Sequence, residues 1–173
     1  MRLTNGQEIA IAPLSNEHDR KAFDCGQDSL NRYLRDFARQ HGKKNIARTF
    51  VAVAPGSPLI LGYYTVCAGS IAFENLPPHS VNLPHHPIPT LHLARLAVDN
   101  RCQGLGLGRT LLFEVFKLAL ELSEKVGIYA VDVFAIDEAA RQFYLRHGFI
   151  PLQDEERHLF LPVKDLAGLE FDL

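Results

Sequence analysis

The feature of the sequence that most constrains its fold is a run of glycines between an apolar segment and an amphipathic one. The segment RCQGLGLGRTLL, residues 101–112, carries Gly104, Gly106 and Gly108 at every second position. It follows LHLARLAVD, which is typical of a strand, and it precedes a helical stripe of apolar residues. Glycine accepts positive φ and lets other atoms approach the backbone, so this loop predicts an anion site made of N–H groups at a helix N-terminus.

Two common phosphate-binding motifs do not fit the loop. A dinucleotide-binding loop needs G-x-G-x-x-G, and the last position of that pattern is occupied here by Arg109 or Leu111. A nucleoside-triphosphate loop needs G-x-x-x-x-G-K-[ST], and counting from Gly104 again reaches Arg109. From the loop alone, a plain glycine-rich turn without a ligand remains the alternative.

The order of strand and helix patterns predicts the fold class. The chain has 173 residues, 47% of them hydrophobic, and a formal net charge of −2, which is an ordinary globular composition. Its patterns follow the order βαα-ββ-loop-β-α-β-α-β, in which the loop is the proline-rich segment 74–90. This order predicts a single α/β domain over residues 1–173, with a mixed central sheet flanked by helices.

Several classes of protein and site are not expected. No apolar run approaches the ~20 residues of a membrane span, and the first residues lack the pattern of a secretion signal. Three widely spaced cysteines suit free thiols in a reducing cytosol, so we expect a cytoplasmic protein. Four histidines lie in or beside the proline-rich loop without carboxylate or cysteine ligands among them, and we expect no metal. These histidines are His79, His85, His86 and His92.

Two motifs resemble those of the GNAT acetyltransferases. The sequence Gln103-x-x-Gly106-x-Gly108 after RLAVD resembles the family's pyrophosphate-binding motif. Further on, DEAARQFYLRHGF resembles the family's fourth helix, in which a tyrosine stands near the thioester, and Tyr144 has that position. The resemblance implies the GNAT fold with a splayed strand pair, and acetyl-CoA as co-substrate. It implies pantetheine contacts from Leu96, Ala97 and Val98, and pyrophosphate contacts from Gln103, Gly104, Leu105, Gly106, Leu107, Gly108 and Arg109.

The chemistry of acetyl transfer gives Tyr144 a catalytic role. A tyrosine carries its proton at neutral pH and can donate it to the departing thiolate. A strand N–H near Leu96 can polarise the thioester carbonyl. No residue is identified as the general base. The alternative for Tyr144 is a half-buried packing residue with its hydroxyl at the surface.

A basic segment points to the acceptor. Between Arg32 and Arg48 the chain carries six basic residues and one acidic residue, Asp36. They are Arg32, Arg35, Arg39, Lys43, Lys44 and Arg48. Such a run is either a solvated helix face or a track for nucleic-acid phosphates.

Taken together, FDCGQDSLNRYL, ARTFVAVA, GYYTV and the two motifs resemble the GNAT toxins of bacterial toxin–antitoxin pairs. The resemblance implies aminoacyl-tRNA as acceptor, acetylated on its α-amino group, and a ribbon-helix-helix antitoxin as partner. A homodimer is a further expectation. The alternatives are an acetyltransferase for a small amine or a protein N-terminus, and a non-catalytic CoA-binding module that acts by contacting a partner.

Overall fold

The computed structural model describes residues 1–80 and 82–169. Its strands are β1 (Ala10–Pro13), β2 (Arg48–Val53), β3 (Ile60–Ile71), β4 (Ile88–Val98), β5 (Ala130–Phe134), β6 (Ile150–Pro151) and β7 (His158–Pro162). Its α-helices are α1 (Asp28–Arg32), α2 (Ala38–Lys43), α3 (Leu107–Ser123), α4 (Glu138–Arg146) and α5 (Val163–Leu166). The sequence patterns predicted these elements except for the short β6 and α5. They also predicted a further short helix between β1 and α1, which was wrong, because residues 14–27 consist of turns and extended chain.

The strands form one mixed sheet in the order β1-β2-β3-β4-β5-β7-β6. β2 is antiparallel to both β1 and β3, and β7 is antiparallel to β5 and β6. β4 and β5 are parallel, with partners from Thr90↔Ala130 to Leu93↔Val133. A parallel pair needs a crossover connection, which α3 supplies. The predicted mixed α/β sheet with flanking helices is confirmed.

The chain divides into two compact units whose borders fall inside β3, β4 and α3. The first comprises Met1–Cys67 and Arg95–Val115, and the second comprises Ala68–Ala94 and the described residues from Phe116 onward. The prediction of a single domain over residues 1–173 stays a prediction.

A π-helical turn joins α1 and α2 in the first unit. Tyr33–Phe37 forms this turn, and the N–H of Ala38 donates to the carbonyl of Tyr33, five residues earlier. Tyr33 and Leu34 are buried within the turn, while Phe37 is partly exposed. The sequence predicted one regular helix here with Asp28 or Ser29 as its cap. That prediction was wrong, because Gln27 is the N-cap, makes no side-chain cap bond, and leaves Asp28 in the first turn.

The core of the first unit lies between the α1–α2 segment and the antiparallel strands. Its buried residues are Phe23, Cys25, Tyr33, Leu34, Ala38, Val51, Val53, Ile60, Tyr63 and Ala97. The hydroxyl of Tyr63 donates to the carbonyl of Leu30 over 2.7 Å, which ties β3 to α1. The buried Thr49 and Thr65 share a hydrogen bond of 2.8 Å across β2 and β3.

A second cluster fills the core of the second unit. It contains Ile71, Leu76, Ile88, Ala130, Leu152 and Phe160. The proline-rich segment was predicted as a loop over 74–90, but β4 begins at Ile88 and a short 3₁₀ turn occupies Phe73–Asn75. Pro89 stands exposed in β4, and its carbonyl accepts from the N–H of Tyr129 over 2.9 Å. Proline lacks an N–H but keeps this acceptor, so it fits the start of the strand.

Gly62 on β3 sets how closely α3 approaches the sheet in the first unit. A Cβ at this position would stand 2.9 Å from Leu111, 3.1 Å from Leu107 and 3.1 Å from the carbonyl oxygen of Ala97. The first turns of α3 therefore occupy the space that a side chain on β3 would need.

We expect Gly62→Ala to lower the free energy of unfolding by about 1–3 kcal/mol, because overpacking forces side chains and backbone to shift. Chemical denaturation measures this change, provided that the free energy of unfolding depends equally steeply on denaturant concentration in the parent and the variant. The matched control is Gly127→Ala, since no atom lies within 4 Å of its Cβ position and its φ is not positive. Equal stability of the two variants would show that α3 does not depend on this close approach.

Candidate active site

The glycine loop has the backbone that only glycine adopts easily. A 3₁₀ turn over Asn100–Cys102 follows β4, and α3 begins at Leu107. Gly104 and Gly106 have φ of 77° and 83°, in the left-handed region. Gly108 lies inside the first turn of α3 and is not among the positive-φ residues. The loop therefore needs glycine at 104 and 106 for its conformation.

The loop presents unpaired N–H groups at the start of α3. Across the described ranges 1–80 and 82–169, no protein group accepts a hydrogen bond from the N–H groups of residues 104–109. The first helical bond runs from the N–H of Thr110 to the carbonyl of Gly106 over 3.1 Å. Unpaired donors at the positive end of the helix dipole attract an anion. This geometry fits the predicted pyrophosphate site, and the role of these residues stays a prediction.

The other predicted loop residues support this backbone. Leu107 is buried, and the carbonyl of Leu105 accepts from the N–H of Thr4 over 3.3 Å. The guanidinium of Arg109 lies 4.9 Å from the centre of the Phe113 ring. The amide nitrogen of Gln103 donates to the carbonyls of Cys25 and Val98, each over 3.1 Å. Its side chain thus holds the loop against the end of β4, which makes it a positioning group.

A buried carboxylate fixes the chain between β4 and the loop. Asp99 accepts from the Nε of Arg101 over 2.7 Å and from the backbone N–H of Asp24 over 3.0 Å. Although burial favours the protonated acid, these hydrogen bonds hold the pKa of Asp99 below its ordinary value. The N–H of Asp99 donates to the carbonyl of Leu61 over 2.8 Å, so the exit of β4 remains tied to β3.

The end of β4 leaves its ladder with β5. The parallel register covers Thr90 to Leu93, whereas β4 continues to Val98. Within that continuation Ala97 is buried, and residues 94–96 are all partly exposed, which breaks the alternation of the strand. Leu96, Ala97 and Val98 thus lie beyond the β5 ladder, as the predicted splay of the strands requires. Their contact with pantetheine stays a prediction.

Arg95 stacks on the π-helical turn, which the sequence did not predict. Its guanidinium lies 3.5 Å from the centre of the Tyr33 ring, and the Tyr33 hydroxyl lies 3.1 Å from Nδ1 of His41. Burial raises the pKa of the Tyr33 phenol, so it remains protonated. A signal was available, because an arginine inside the apolar strand LARLAV needs a partner.

Tyr144 lies in α4 with its ring buried. Asp137 caps the helix by accepting from the N–H of Ala140 over 2.8 Å, as predicted. The ring packs edge-on against Phe143 and Phe149, with 5.3 Å between ring centres in each pair. Burial raises the pKa of the phenol, so the group carries its proton at neutral pH.

The hydroxyl of Tyr144 has no partner among the described residues, since none of them shares a hydrogen bond with it. The residue is only 4% exposed, so the phenol lies in a buried environment. A buried phenol that keeps its proton and has no partner among the described residues is suited to donate that proton.

The six basic residues do not form a single row. Arg32 and Arg35 flank Asp36, with nitrogen–oxygen distances of 3.9 and 3.2 Å, and these exposed pairs are weak. Arg39, Lys43 and Arg48 instead line one cavity of about 370 Å³ together with Ser15 and Phe50. Lys44 is exposed.

The buried cysteines are unsuited to nucleophilic catalysis. Burial raises the pKa of the thiols of Cys25 and Cys102, which disfavours the reactive thiolate. Within residues 1–80 and 82–169 no group of three His, Cys, Asp or Glu side chains is arranged to hold a metal ion. In the same ranges no helix combines the length and the apolar character needed to cross a membrane.

One of the four histidines lies in a strand. His92 belongs to β4, as the strand pattern LHLARLAVD predicted, and its Nδ1 lies 3.0 Å from the buried Asp132 of β5. His85 remains in the loop and stacks on Phe73 with 4.1 Å between ring centres. Thr90 and His92 are two residues apart in a strand, so their side chains lie on the same face of β4. This pattern indicated a shared polar partner on a neighbouring strand, and that partner is Asp132.

The fold and the similarity of this chain to known proteins define its class, an acetyl-CoA-dependent N-acetyltransferase. Residues 14–149 match the acetyltransferase (GNAT) family, and the chain belongs to that family. Over 156 residues the chain is 32% identical to the "tRNA-acetylating toxin" of Mycobacterium tuberculosis (strain ATCC 25618 / H37Rv), covering 90% of this chain and 93% of that protein.

Two solved structures share the fold closely. AtaT complexed with acetyl-methionyl-tRNAfMet superposes with a TM-score of 0.87 at 32% identity, over 92% of this chain and 98% of that one. A tyrosine-to-phenylalanine mutant of AtaT, bound to the C-terminus of the antitoxin AtaR and to acetyl-CoA, gives 0.78 at 30% identity, over 93% and 97%. The predicted GNAT fold, acetyl-transfer activity and acetyl-CoA co-substrate are confirmed.

We expect Gly106→Val to weaken acetyl-CoA binding at least tenfold by calorimetry, because a β-branched residue cannot hold φ near 83° and the loop N–H groups would turn away. Gly56→Val is the control, since Gly56 has φ of 76° in the turn between β2 and β3 and carries the same backbone strain. If the Gly106 variant bound acetyl-CoA with the affinity of the parent, the loop would not be part of the acetyl-CoA site.

Proposed function

We propose that this protein transfers the acetyl group of acetyl-CoA to the α-amino group of aminoacyl-tRNA and so blocks translation as the toxin of a toxin–antitoxin pair. The observation that carries the proposal is similarity along most of the chain to a tRNA-acetylating toxin and to a toxin solved with its acetylated tRNA. The residues of the candidate site support it with chemistry of their own.

The first unit binds the donor. The N–H groups of residues 104–109 donate to the pyrophosphate, and Gln103 and Asp99 hold their loop in place through hydrogen bonds already formed in the protein. The backbone of Leu96, Ala97 and Val98 carries the pantetheine, and an N–H near Leu96 polarises the carbonyl. Holding the thioester in one orientation lowers the entropic cost of the reaction.

Tyr144 supplies the proton for the leaving group. The amine nitrogen attacks the thioester carbon, the carbon–sulfur bond breaks, and the phenolic proton of Tyr144 passes to the CoA thiolate. The amine loses one proton to water as the amide forms, and water returns a proton to Tyr144, so the reaction has no net change of protons. A raised pKa keeps Tyr144 protonated until the thiolate appears.

The charged cavity supports a polyanionic acceptor. Arg39, Lys43 and Arg48 share it with no carboxylate among the described residues that line it, although the whole chain has a net charge of −2. Cations gathered in this way attract phosphates and repel a small cationic amine. Acetylation of a small amine is therefore the weaker candidate, and a non-catalytic CoA-binding module is weaker because the similar toxins transfer acetyl groups.

An antitoxin partner is part of the proposal. A neighbour was solved with the C-terminus of its antitoxin, which supports a protein antitoxin here. A ribbon-helix-helix antitoxin, a homodimer and action in the cytoplasm complete the proposal and derive from resemblance to this group of toxins.

Transfer of radiolabelled acetyl groups from acetyl-CoA to total charged tRNA tests the proposal directly. We expect label in the aminoacyl-tRNA, and none in deacylated tRNA, because the acceptor is the aminoacyl α-amine. A panel of polyamines and peptide N-termini run in parallel tests the other acceptors. Labelling of the panel without labelling of charged tRNA would overturn the tRNA assignment.

We expect Tyr144→Phe to keep acetyl-CoA affinity and to lower turnover about 10²–10⁴-fold, the usual contribution of a general acid. The change removes one hydroxyl and leaves the ring in its packing with Phe143 and Phe149. Tyr129→Phe, which removes a hydroxyl from a partly buried ring in the second core cluster, is the control. If the Tyr144 variant turned over at the rate of the parent, Tyr144 would have only a packing role.

We expect the double substitution Arg39→Gln and Lys43→Gln to weaken tRNA binding. In a plot of the logarithm of the binding constant against the logarithm of the salt concentration, the slope should become shallower. We expect a change of roughly 0.7–0.9 for each phosphate that the variant no longer neutralises. Acetyl-CoA affinity should stay unchanged. The charge-matched control is Lys21→Gln with Lys125→Gln, since both lysines are exposed and neither lines the cavity. If the two double variants bound tRNA with the same salt dependence, Arg39 and Lys43 would not contact its phosphates, and the cavity would be an ordinary solvated surface.

A further inference from the structure

The guanidinium of Arg95 is held in place by an aromatic ring. It lies 3.5 Å from the centre of the Tyr33 ring, and the bond between the Tyr33 hydroxyl and His41 fixes that ring. Across residues 1–80 and 82–169, no carboxylate forms an ion pair with Arg95 and no group accepts a hydrogen bond from its side chain. Stacking occupies the face of a guanidinium and leaves the N–H groups at its edge available to a ligand.

The charge of Arg95 is not balanced by the phenols beside it. It acts on the hydroxyls of Tyr33 and Tyr63, but burial raises the pKa of both phenols, so both remain protonated. Arg95 itself is partly exposed. A cation that is accessible, oriented by stacking and unpaired within the described part of the chain is suited to bind an anionic group of a ligand.

The position of Arg95 relates this cation to the reacting amine. Arg95 directly precedes Leu96 in β4, and the proposed function assigns the end of that strand to the acyl donor. In an aminoacyl-tRNA the ester and the ribose of the last nucleotide are neutral, so the anion nearest to the α-amine is the 5′-phosphate of that nucleotide. An arginine beside the donor is therefore placed to meet this phosphate.

The surroundings of Arg95 fit an unpaired nucleotide. Phe37 is 38% exposed in the same π-helical turn and packs nearly parallel to Tyr33, with 6.4 Å between ring centres. The guanidinium of Arg32 lies 5.8 Å from the centre of the Phe37 ring. Proteins bind unpaired nucleotides with exposed aromatic rings next to arginines, because bases stack on the rings while phosphates pair with the guanidinium groups. The exposed ring favours a nucleotide over a protein carboxylate as the ligand.

We propose that Arg95, oriented by Tyr33, binds the 5′-phosphate of the 3′-terminal nucleotide of the acceptor. This inference rests on the proposed function and adds to it a residue that determines specificity. The guanidinium donates its N–H groups to the phosphate oxygens and so places the aminoacyl group of that nucleotide at the acyl donor. The enzyme then selects amines that are carried by a nucleotide and disfavours free amines that lack the phosphate.

Two fragments of the same charged tRNA test the contact, because they differ only in this phosphate. Ribonuclease A releases the terminal nucleotide as aminoacyl-adenosine, whereas nuclease P1 releases it with its 5′-phosphate. We expect the parent to acetylate the phosphorylated fragment with a kcat/KM about 10–100-fold higher, the usual effect of a hydrogen bond to a charged group. Fragments too short to be acetylated are compared as competitors of intact charged tRNA, with the same expected preference.

Arg95→Gln should abolish the preference by lowering kcat/KM for the phosphorylated fragment alone. Arg95→Lys should keep part of it, because lysine retains the charge but lacks the planar fork of donors. With intact charged tRNA, the plot of the logarithm of the binding constant against the logarithm of the salt concentration should be shallower for Arg95→Gln. We expect a change of about 0.7, the value for one phosphate of a single strand.

Lys125→Gln is the charge-matched control, since this lysine is exposed and has no place in the proposed contact. Unchanged acetyl-CoA affinity by calorimetry shows that each variant is folded. An equal loss on both fragments would make Arg95 a support of the π-helical turn and would overturn the phosphate contact. A parent that does not distinguish the fragments, or an unchanged salt dependence in Arg95→Gln, would overturn it as well. Failure of the parent to label charged tRNA would instead overturn the proposed function.

Discussion

The approach of α3 to β3 at Gly62 is the contact on which the donor site depends. The first turns of the helix rest where a β3 side chain would stand, within 3.1 Å of the Cβ position. The helix therefore begins directly beside the end of β4, and a short loop spans the gap. The first N–H groups of an α-helix have no acceptor within the helix, so the donors at this end of α3 stay unpaired, which is what an anion site requires.

The loop is held at its N-terminal end by the side chains of Gln103 and Asp99. Gln103 uses its amide on the backbone of Cys25 and Val98, and Asp99 collects bonds from Arg101 and Asp24. Residues distant in sequence thus fix a loop whose own sequence is mostly glycine and leucine. Flexible residues can form a rigid site when their neighbours supply the constraints.

Local signals in the sequence predicted most of the elements, including the loop and the helix that carry the candidate site residues. The glycine loop, the capping of α4 by Asp137 and the position of Tyr144 are each written within a dozen residues of chain. The contacts that were missed join distant segments. Arg95 of β4 meets Tyr33 of the π-helical turn, and His92 of β4 meets Asp132 of β5, and a short stretch of sequence does not name either partner. The π-helical turn was missed because its apolar residues also fit an α-helical stripe.

That π-helical turn separates the length of the helical segment from the direction in which its charges point. Tyr33–Phe37 holds one residue more than an α-helical turn would, and the wide turn absorbs that residue. Loss of one residue there would restore regular α-helical geometry and leave Arg39 and Lys43 on the same face of α2. What such a loss would remove is the wide turn on which Arg95 of β4 stacks. A deletion of one codon here would therefore change a contact with the donor strand and spare the charged cavity.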